Sequence, residues 1–420
     1  MSFLLQFLPT DFSGLFKKPS FAYFSLSVFL SQVAYQMMNV SLIFLVYYLT
    51  ASNLAVSLLI LSFLIPQIFF SFLGGIIADV RSKKKILVWG NILRGILILA
   101  LFFQTSSIPL IFIIIILVSI ITQFYVPAEP PFIPQLVSKS RLVAANSIFG
   151  MSLFGSILIA FVLAGPLIQL FGRSNIFLII SALFGISGFF AVLLPDRKKT
   201  GRVSEGTFVM NIIRFYHDDL KESTRLLRQK DNVGASFFLL IFSQVIILVI
   251  ASIIPDYAES ILRIQAENLS VVLFAPAALG MIFASLLFGG RLGRKSQKSV
   301  ATSGVFLSGF SLLFFPLTPY ISNLFFSIGT LYIAGVIAFL AGFANAFIFV
   351  PSQATIQNAV PENYRAKVYG LLFALAGVLS LVPILLAGGL ADIFGVGIVL
   401  SLLGFCIILV GIWRLRSLAS

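Results

Sequence analysis

From Phe21 to Ala78 the chain runs 58 residues without one Asp, Glu, Lys or Arg, and from Ser299 to Pro361 it runs 63. A soluble domain carries about one charged residue in four. Here 420 residues are 59% hydrophobic and only 10% charged, with a mean hydropathy of +1.09. A membrane span needs roughly 20 apolar residues. Lipid offers backbone groups no hydrogen bonds, so spans are helices or a closed barrel. Barrel strands alternate apolar and polar over about 10 residues, whereas these runs are continuously apolar and longer. The expectation is an all-α polytopic membrane protein.

Uncharged runs count the spans. Residues 21–78 hold two. Residues 86–128, interrupted only by Arg94, hold two more, broken between Ser106 and Pro109. One each follows in 142–172, 174–195, 232–255 and 268–290. Residues 299–361 hold two, broken near Pro316 to Asn323, and 368–391 and 393–413 complete twelve transmembrane helices. With twelve, 25 of the 28 basic residues fall on one side. Arg173 and Arg263 fall on the other, and Arg94 lies within a span. The positive-inside bias makes the basic side cytoplasmic. Both termini are then cytoplasmic in a multi-pass protein of the plasma (inner) membrane. Met1 to Leu8 is apolar, but Lys17 and Lys18 follow it rather than precede it. That order predicts a short amphipathic segment on the inner surface rather than a cleaved signal peptide. The net charge of +14 is accounted for by these inner loops, so no nucleic-acid partner is expected. Cys406, the single cysteine, excludes an intrachain disulfide.

The first basic loop lies at residues 74–85, Gly-Gly-Ile-Ile-Ala-Asp-Val-Arg-Ser-Lys-Lys-Lys. The one long polar segment, 196–231, sits at mid-chain. There Val209, Ile213, Tyr216, Leu220 and Leu227 recur at helical spacing, which predicts an amphipathic helix on the inner membrane face. It separates 1–195 from 232–420, and the two sides repeat each other. Val126-Pro127 with Arg141 matches Val350-Pro351 with Arg365. Ala164-Gly165-x-Leu167-x-x-x-Phe171-Gly172 matches Ala387-Gly388-x-Leu390-x-x-x-Phe394-Gly395. Gly74-Gly75 before a basic loop matches Gly289-Gly290. Three matches in order predict two parallel six-helix repeats.

Gly75, Ala78, Asp79, Lys83 and Lys84 follow the Gly-x-x-Ala-Asp-[Arg/Lys]-x-x-[Arg/Lys]-[Arg/Lys] loop of the major facilitator superfamily, which the chain resembles over nearly its whole length. It departs at Val80, with Arg81 one place later. The resemblance implies the major facilitator fold, with a substrate site near mid-membrane between the repeats. A narrower resemblance is to its drug-efflux branch, which includes macrolide-efflux proteins. It rests on Pro127-Ala128, Ile133-Pro134-Gln135-Leu136-Val137 and Ala145-Asn146, and on Pro351, Gln357, Val360-Pro361-Glu362, Arg365, Lys367 and Val368. Helix 5 of drug/proton antiporters often ends in Gly-Pro-x-x-Gly-Gly. Here Gly165-Pro166 continues into Leu167, Ile168, Gln169 and Leu170.

The resemblance implies that Gly75, Asp79, Arg81, Lys83 and Lys84 form a cytoplasmic gate; a basic inner turn with one solvated acid is the plainer alternative. Glu129 follows an uncharged run. An acid there is either a protonation site for coupling or half of an ion pair with Arg81 or a neighbouring loop cation. Pro130-Pro131 favours the ion pair, because it suggests a helix already ending. Arg94, about ten residues into its span, is expected to face the interior or to snorkel to the interface; Glu129 is a candidate partner. Gln32, Tyr35, Gln36 and Asn39 share one face of the first helix. They suit a water-filled cavity or helix–helix hydrogen bonds equally. Gln123, Tyr125, Gln244 and Asn345 are candidates for the same cavity.

Such a cavity suits large apolar or amphiphilic compounds rather than small, highly charged solutes. No metal spacing, phosphate loop or nucleophile triad is present, His217 reads as a surface residue, and the chain is not expected to be an enzyme. A 36-residue linker is too short for an ATPase domain, so no cofactor is expected, and the resemblance implies a proton gradient as energy source. The expected function is export of amphiphilic or hydrophobic compounds of the drug or macrolide type by proton antiport with alternating access; the expected partners are a small amphiphilic substrate molecule and the lipid bilayer, and the protein is expected to be a monomer. The alternatives are lysophospholipid, siderophore or sugar transport in the same fold, or a non-transporting sensor or scaffold, which the helix 5 departure keeps open.

Overall fold

A computed structural model of the chain describes residues 15–138, 141–196, 231–288, 297–324, 329–360 and 362–419. Among them every regular element is helical, and twelve helices are long and apolar enough to cross a membrane. They are α1 (Pro19–Thr50), α2 (Asn53–Ser71, continuing as helix to Val80), α3 (Lys83–Phe103), α4 (Ile108–Leu136), α5 (Ala144–Phe171) and α6 (Asn175–Val192). The second six are α7 (Val233–Ile261), α8 (Ala266–Leu287), α9 (Lys298–Leu324), α10 (Thr330–Ala359), α11 (Leu371–Phe394) and α12 (Val396–Arg416). The amphipathic helix expected within 196–231, His217 and the segment Met1 to Leu8 lie outside the described residues.

One boundary differs from expectation. The fourth uncharged run stops at Ala128, but α4 continues to Leu136. Its regular part, Ile108–Tyr125, passes into 3-10 turns at Val126–Ala128 and Pro130–Phe132 and a last helical turn at Ile133–Leu136. Pro127, Pro130, Pro131 and Pro134 each fall in a first turn. There a missing N–H costs no bond. The intervening amides keep the ladder going: Glu129 N donates to Val126 O at 3.2 Å and Phe132 N to Glu129 O at 3.1 Å. Glu129 is therefore inside the span.

The chain divides into two compact units. One comprises Met1–Leu45 and Ser62–Val203, the other Val46–Leu61 and Ser204–Ser420. The end of α1 and the start of α2 thus group with the C-terminal unit. In the N-terminal unit α3 packs along α6 and α4. Ser27 Oγ of α1 donates to Ser187 O of α6 at 2.8 Å, and Ser187 Oγ returns a bond to Ser27 O at 2.7 Å. Phe21, Phe24, Tyr125, Phe132 and Ile133 gather in its core. In the C-terminal unit α8 and α9 pack on α10, and α7 packs on α11. Small residues let these backbones approach, which is how helices bind one another where lipid supplies no hydrophobic drive. At the α9–α12 crossing, a Cβ on Gly309 would lie 2.9 Å from Gly404 O, and one on Gly404 would lie 2.8 Å from Gly309 O.

The repeat has a structural counterpart. Gly172 after α5 and Gly395 after α11, paired by the sequence match, are the two glycines with positive φ among the described residues, +91° and +84°. Each donates its N–H back to a carbonyl four residues earlier, Ile168 O at 2.7 Å and Ala391 O at 2.9 Å. A side chain would be strained in that conformation. The same stop ends the fifth helix of each repeat.

Candidate functional site

Four helices of the N-terminal unit bring a buried polar cluster together. Arg94 on α3 is 1% exposed. Its guanidinium lies 3.9 Å from the centre of the Tyr125 ring and 4.8 Å from that of Phe184. Nε donates to Gly90 O at 2.9 Å, and Nη2 to Ser31 Oγ at 3.0 Å and Asn91 Oδ1 at 2.9 Å. The local sequence makes this seat. Gly90 and Asn91 lie four and three residues before Arg94, so all three share a face. A Cβ on Gly90 would stand 2.8 Å from Tyr125 Cδ2; its absence admits the ring, and the ring supports the cation. A lone cation at the bilayer centre costs about 2.5–3.5 kcal/mol. A desolvated cation–π contact returns about 2 kcal/mol, and the hydrogen bonds add to it. Arg94 turns inward and does not snorkel.

Glu129 on α4 is also 1% exposed. Its carboxylate accepts from Gln32 Nε2 of α1 at 3.3 and 3.5 Å. Arg94 lies within electrostatic reach. Arg81, the ion-pair partner weighed from sequence, is instead exposed at the basic turn beside Ser82, Gln135 and Asp196. The cation within electrostatic reach of Glu129 is Arg94, and α1 touches both through the adjacent Ser31 and Gln32.

The other sequence candidates separate into groups. Tyr35 is half-buried and within electrostatic reach of Arg94. Asn39 Nδ2 reaches Gln36 Oε1 at 3.5 Å, and its buried Oδ1 has no partner. Gln123 is occupied within α4, donating to Ser119 O at 3.3 Å. Its carbonyl abuts Gly74 of α2, where a Cβ could not fit. Gln244 is half-buried in α7, and Asn345 donates to Ser243 Oγ at 2.8 Å, joining α10 to α7. Gly165 and Pro166 lie within a helix that runs unbroken to Phe171.

At the basic turn, Asp79 belongs to the last turn of helix Asn53–Val80; its side chain lies outside the described residues. No described heavy atom stands within 4 Å of a Cβ added at Gly75. Lys83 is buried and donates from Nζ to Ala78 O at 2.9 Å, closing the end of α2. A cation there suits the negative end of the helix dipole. Ser82 caps α3, accepting from Lys85 N at 3.4 Å, and donates to Asp196 Oδ1 at 2.8 Å. Arg81 is exposed and Lys84 half-buried.

Sequence spacing does not single out two further carboxylates, Asp256 five residues before the end of α7 and Asp392 near the end of α11. Both bond to Asn53 at the start of α2, within the C-terminal unit. A signal was present: Gly388-Gly389-Leu390-Ala391-Asp392 echoes Gly74-Gly75 and Ala78-Asp79.

The family model of the Major Facilitator Superfamily matches residues 24–382. An uncharacterized MFS-type transporter of Bacillus subtilis, YfiS, is 23% identical over 372 residues, 87% of this chain and 84% of that protein. Macrolide efflux protein A of Streptococcus pyogenes is 22% identical over 392 residues, 91% of this chain and 92% of that protein. The crystal structure of the nucleoside transporter NupG superposes with a TM-score of 0.71 at 14% identity, over 94% of this chain and 98% of that one. At that identity the likeness shows the fold alone. Family and fold make this a multi-pass membrane transporter rather than an enzyme: the chain belongs to the major facilitator superfamily.

Proposed function

We propose that this chain exports large amphiphilic compounds from the cytoplasm by proton antiport, with Glu129 as the group that takes up and releases the proton. The observation that carries the reading is the placement of Glu129. It is a carboxyl group buried inside a span, with a fixed cation nearby and an amide as its hydrogen-bond partner. An ionisable group at such a depth is costly to keep and is a functional candidate by default. The partner is suited to the task. An amide donates to a carboxylate and, turned over, accepts from a carboxylic acid. Gln32 can therefore hold either state, and α1 would register the change. The macrolide-efflux relatives, aligned over 78–91% of this chain, support export of a bulky, largely apolar substrate. The cell membrane, with both termini cytoplasmic, is the proposed location, from the basic inner loops.

The test is efflux of a fluorescent cationic dye and of a macrolide from cells lacking their own pumps, with and without a proton uncoupler. The parent protein is expected to export at least one of them and to stop with the uncoupler. Glu129→Gln is expected to remove the uncoupler-sensitive part, a loss of about tenfold or more, at unchanged membrane levels. A Glu129→Gln protein that still follows the proton gradient would return Glu129 to a structural role beside Arg94.

The basic turn keeps its proposed role as the cytoplasmic gate. Asp79→Asn is expected to slow flux several-fold while insertion and folding stay unchanged. Normal flux in that variant would remove the gate.

A further inference from the structure

Within the C-terminal unit, four hydrogen bonds from the start of α2 converge on Asp392 of α11. Oδ2 accepts from Ser52 Oγ at 2.7 Å and from Leu54 N at 3.1 Å. Oδ1 accepts from Asn53 N at 2.7 Å and from Asn53 Nδ2 at 2.9 Å. The same Asn53 amide donates to Asp256 Oδ2 of α7 at 2.9 Å, and Tyr47 OH of α1 donates to Asp256 Oδ1 at 3.1 Å. Two backbone N–H groups of the first turn of α2, which no helix can satisfy for itself, thus end on a carboxylate from another helix. The helix dipole adds to the attraction. Beneath them Ser57 Oγ donates to Ile384 O at 2.9 Å. Gly388 makes the approach feasible, since a Cβ there would stand 2.7 Å from Asn53 O and collide with Ser57 Oγ.

We propose that Asp392 is a releasable latch, which holds the start of α2 against α11 in the state described here and lets go during the transport cycle. Three observations carry this. First, Val46–Leu61 groups with the C-terminal unit although the rest of α1 and α2 does not. These bonds join it to that unit. Secondly, the bonded groups are of a kind that water serves as well. Asp392 and Leu54 are exposed, and first-turn N–H groups are routinely hydrated, so release strands no donor. Arg94 and Glu129, each 1% exposed, lack that property. Thirdly, the latched state is not fully satisfied. Asn53 is 2% exposed, and its Oδ1 has no hydrogen-bond partner, which costs free energy while the latch is shut and ends when water enters. Strong bonds offset by an unmet acceptor make a contact that can be near balance between shut and open. The latch does not depend on which compound is carried or on Glu129.

Thiol accessibility tests it without a substrate. The full chain carries Cys406→Ala and one reporter cysteine, and membranes are labelled with a water-soluble maleimide. Ser57→Cys reports on the latch, being 0% exposed beneath Asp392. Ser156→Cys is the control, also 0% exposed and bonded within its own helix to Leu153 O at 2.7 Å. Asp392→Asn keeps the size of the side chain but removes its charge and one of its two acceptors. Gly388→Ala keeps the carboxylate and pushes the two backbones apart. Each is expected to raise Ser57→Cys labelling about tenfold or more, the equivalent of one or two hydrogen bonds, and to leave Ser156→Cys labelling unchanged. Unchanged labelling at Ser57→Cys in both variants would overturn the latch. So would an equal rise at both reporters, which would mean general loosening of the fold.

Discussion

Arg94→Ala is expected to destabilise the N-terminal unit by about 3 kcal/mol or more, the range for breaking a buried charged arrangement by removing one partner. The change removes the three hydrogen bonds to Gly90, Ser31 and Asn91. It empties the space between the Tyr125 and Phe184 rings. It also leaves Glu129 buried without its countercharge, so the penalty exceeds that of the cavity alone. Thermal unfolding of the detergent-purified protein, followed by size-exclusion chromatography, measures it. Arg94→Met combined with Glu129→Gln is expected to recover much of the loss, because a neutral pair of similar volume needs no countercharge. If Arg94→Ala unfolds at the parental temperature, or the double variant recovers nothing, the cluster is not electrostatically coupled as described.

Gly342→Leu is expected to cost about 3 kcal/mol, the upper end of the range for an overpacked contact, in the C-terminal unit. Gly342 of α10 and Gly280 of α8 face each other's backbones. A Cβ on Gly342 would collide with the Ala277 carbonyl oxygen and stand 2.6 Å from its carbon, and one on Gly280 would collide with Phe339 O. Backbone cannot rotate away as a side-chain tip can, so the helices must separate along a crossing that organises this unit. The expected readout is a large fall in folded protein recovered from membranes. Gly150→Leu, with no described atom within 4 Å of an added Cβ, is the control and is expected to behave like the parent. Equal recovery of Gly342→Leu and the control would show that the α8–α10 crossing yields more readily than its backbone contacts imply.

Sequence patterning reached the twelve helical spans, because hydrocarbon penalises any exposed backbone polar group and so leaves the chain almost no choice of local structure. It also reached the repeat, down to the glycines that stop α5 and α11. It erred at the inner end of α4. There the prolines read as a terminus, but each occupies a first turn where its missing N–H goes unused. Arg94, Glu129, Gln32 and Tyr35 were singled out one by one from rarity of charge and from helical spacing. The sequence offered Glu129 as a partner for Arg94, but not the contacts of α1 with both, since hydropathy reports depth and not which faces of α1, α3 and α4 meet. Tyr125 had been noted as a possible cavity residue, and Gly90 had not been noted at all. One is the platform for the guanidinium and the other the space that admits it.

Asp256 and Asp392 show the same division from the other side. Each reads in sequence as an ordinary polar residue closing a span, as solvation alone would allow. Only the packing of α11 on the first turn of α2, through Gly388, gives Asp392 two backbone amides to bind. What the sequence determined by itself was the solvent each segment must live in, and with it the number of spans and the boundaries of nearly all of them. The tertiary structure alone decided which buried polar groups meet. Hydrogen bonds and charge pairs require particular atoms within about 3–4 Å, and only helix crossing and rotation set that distance.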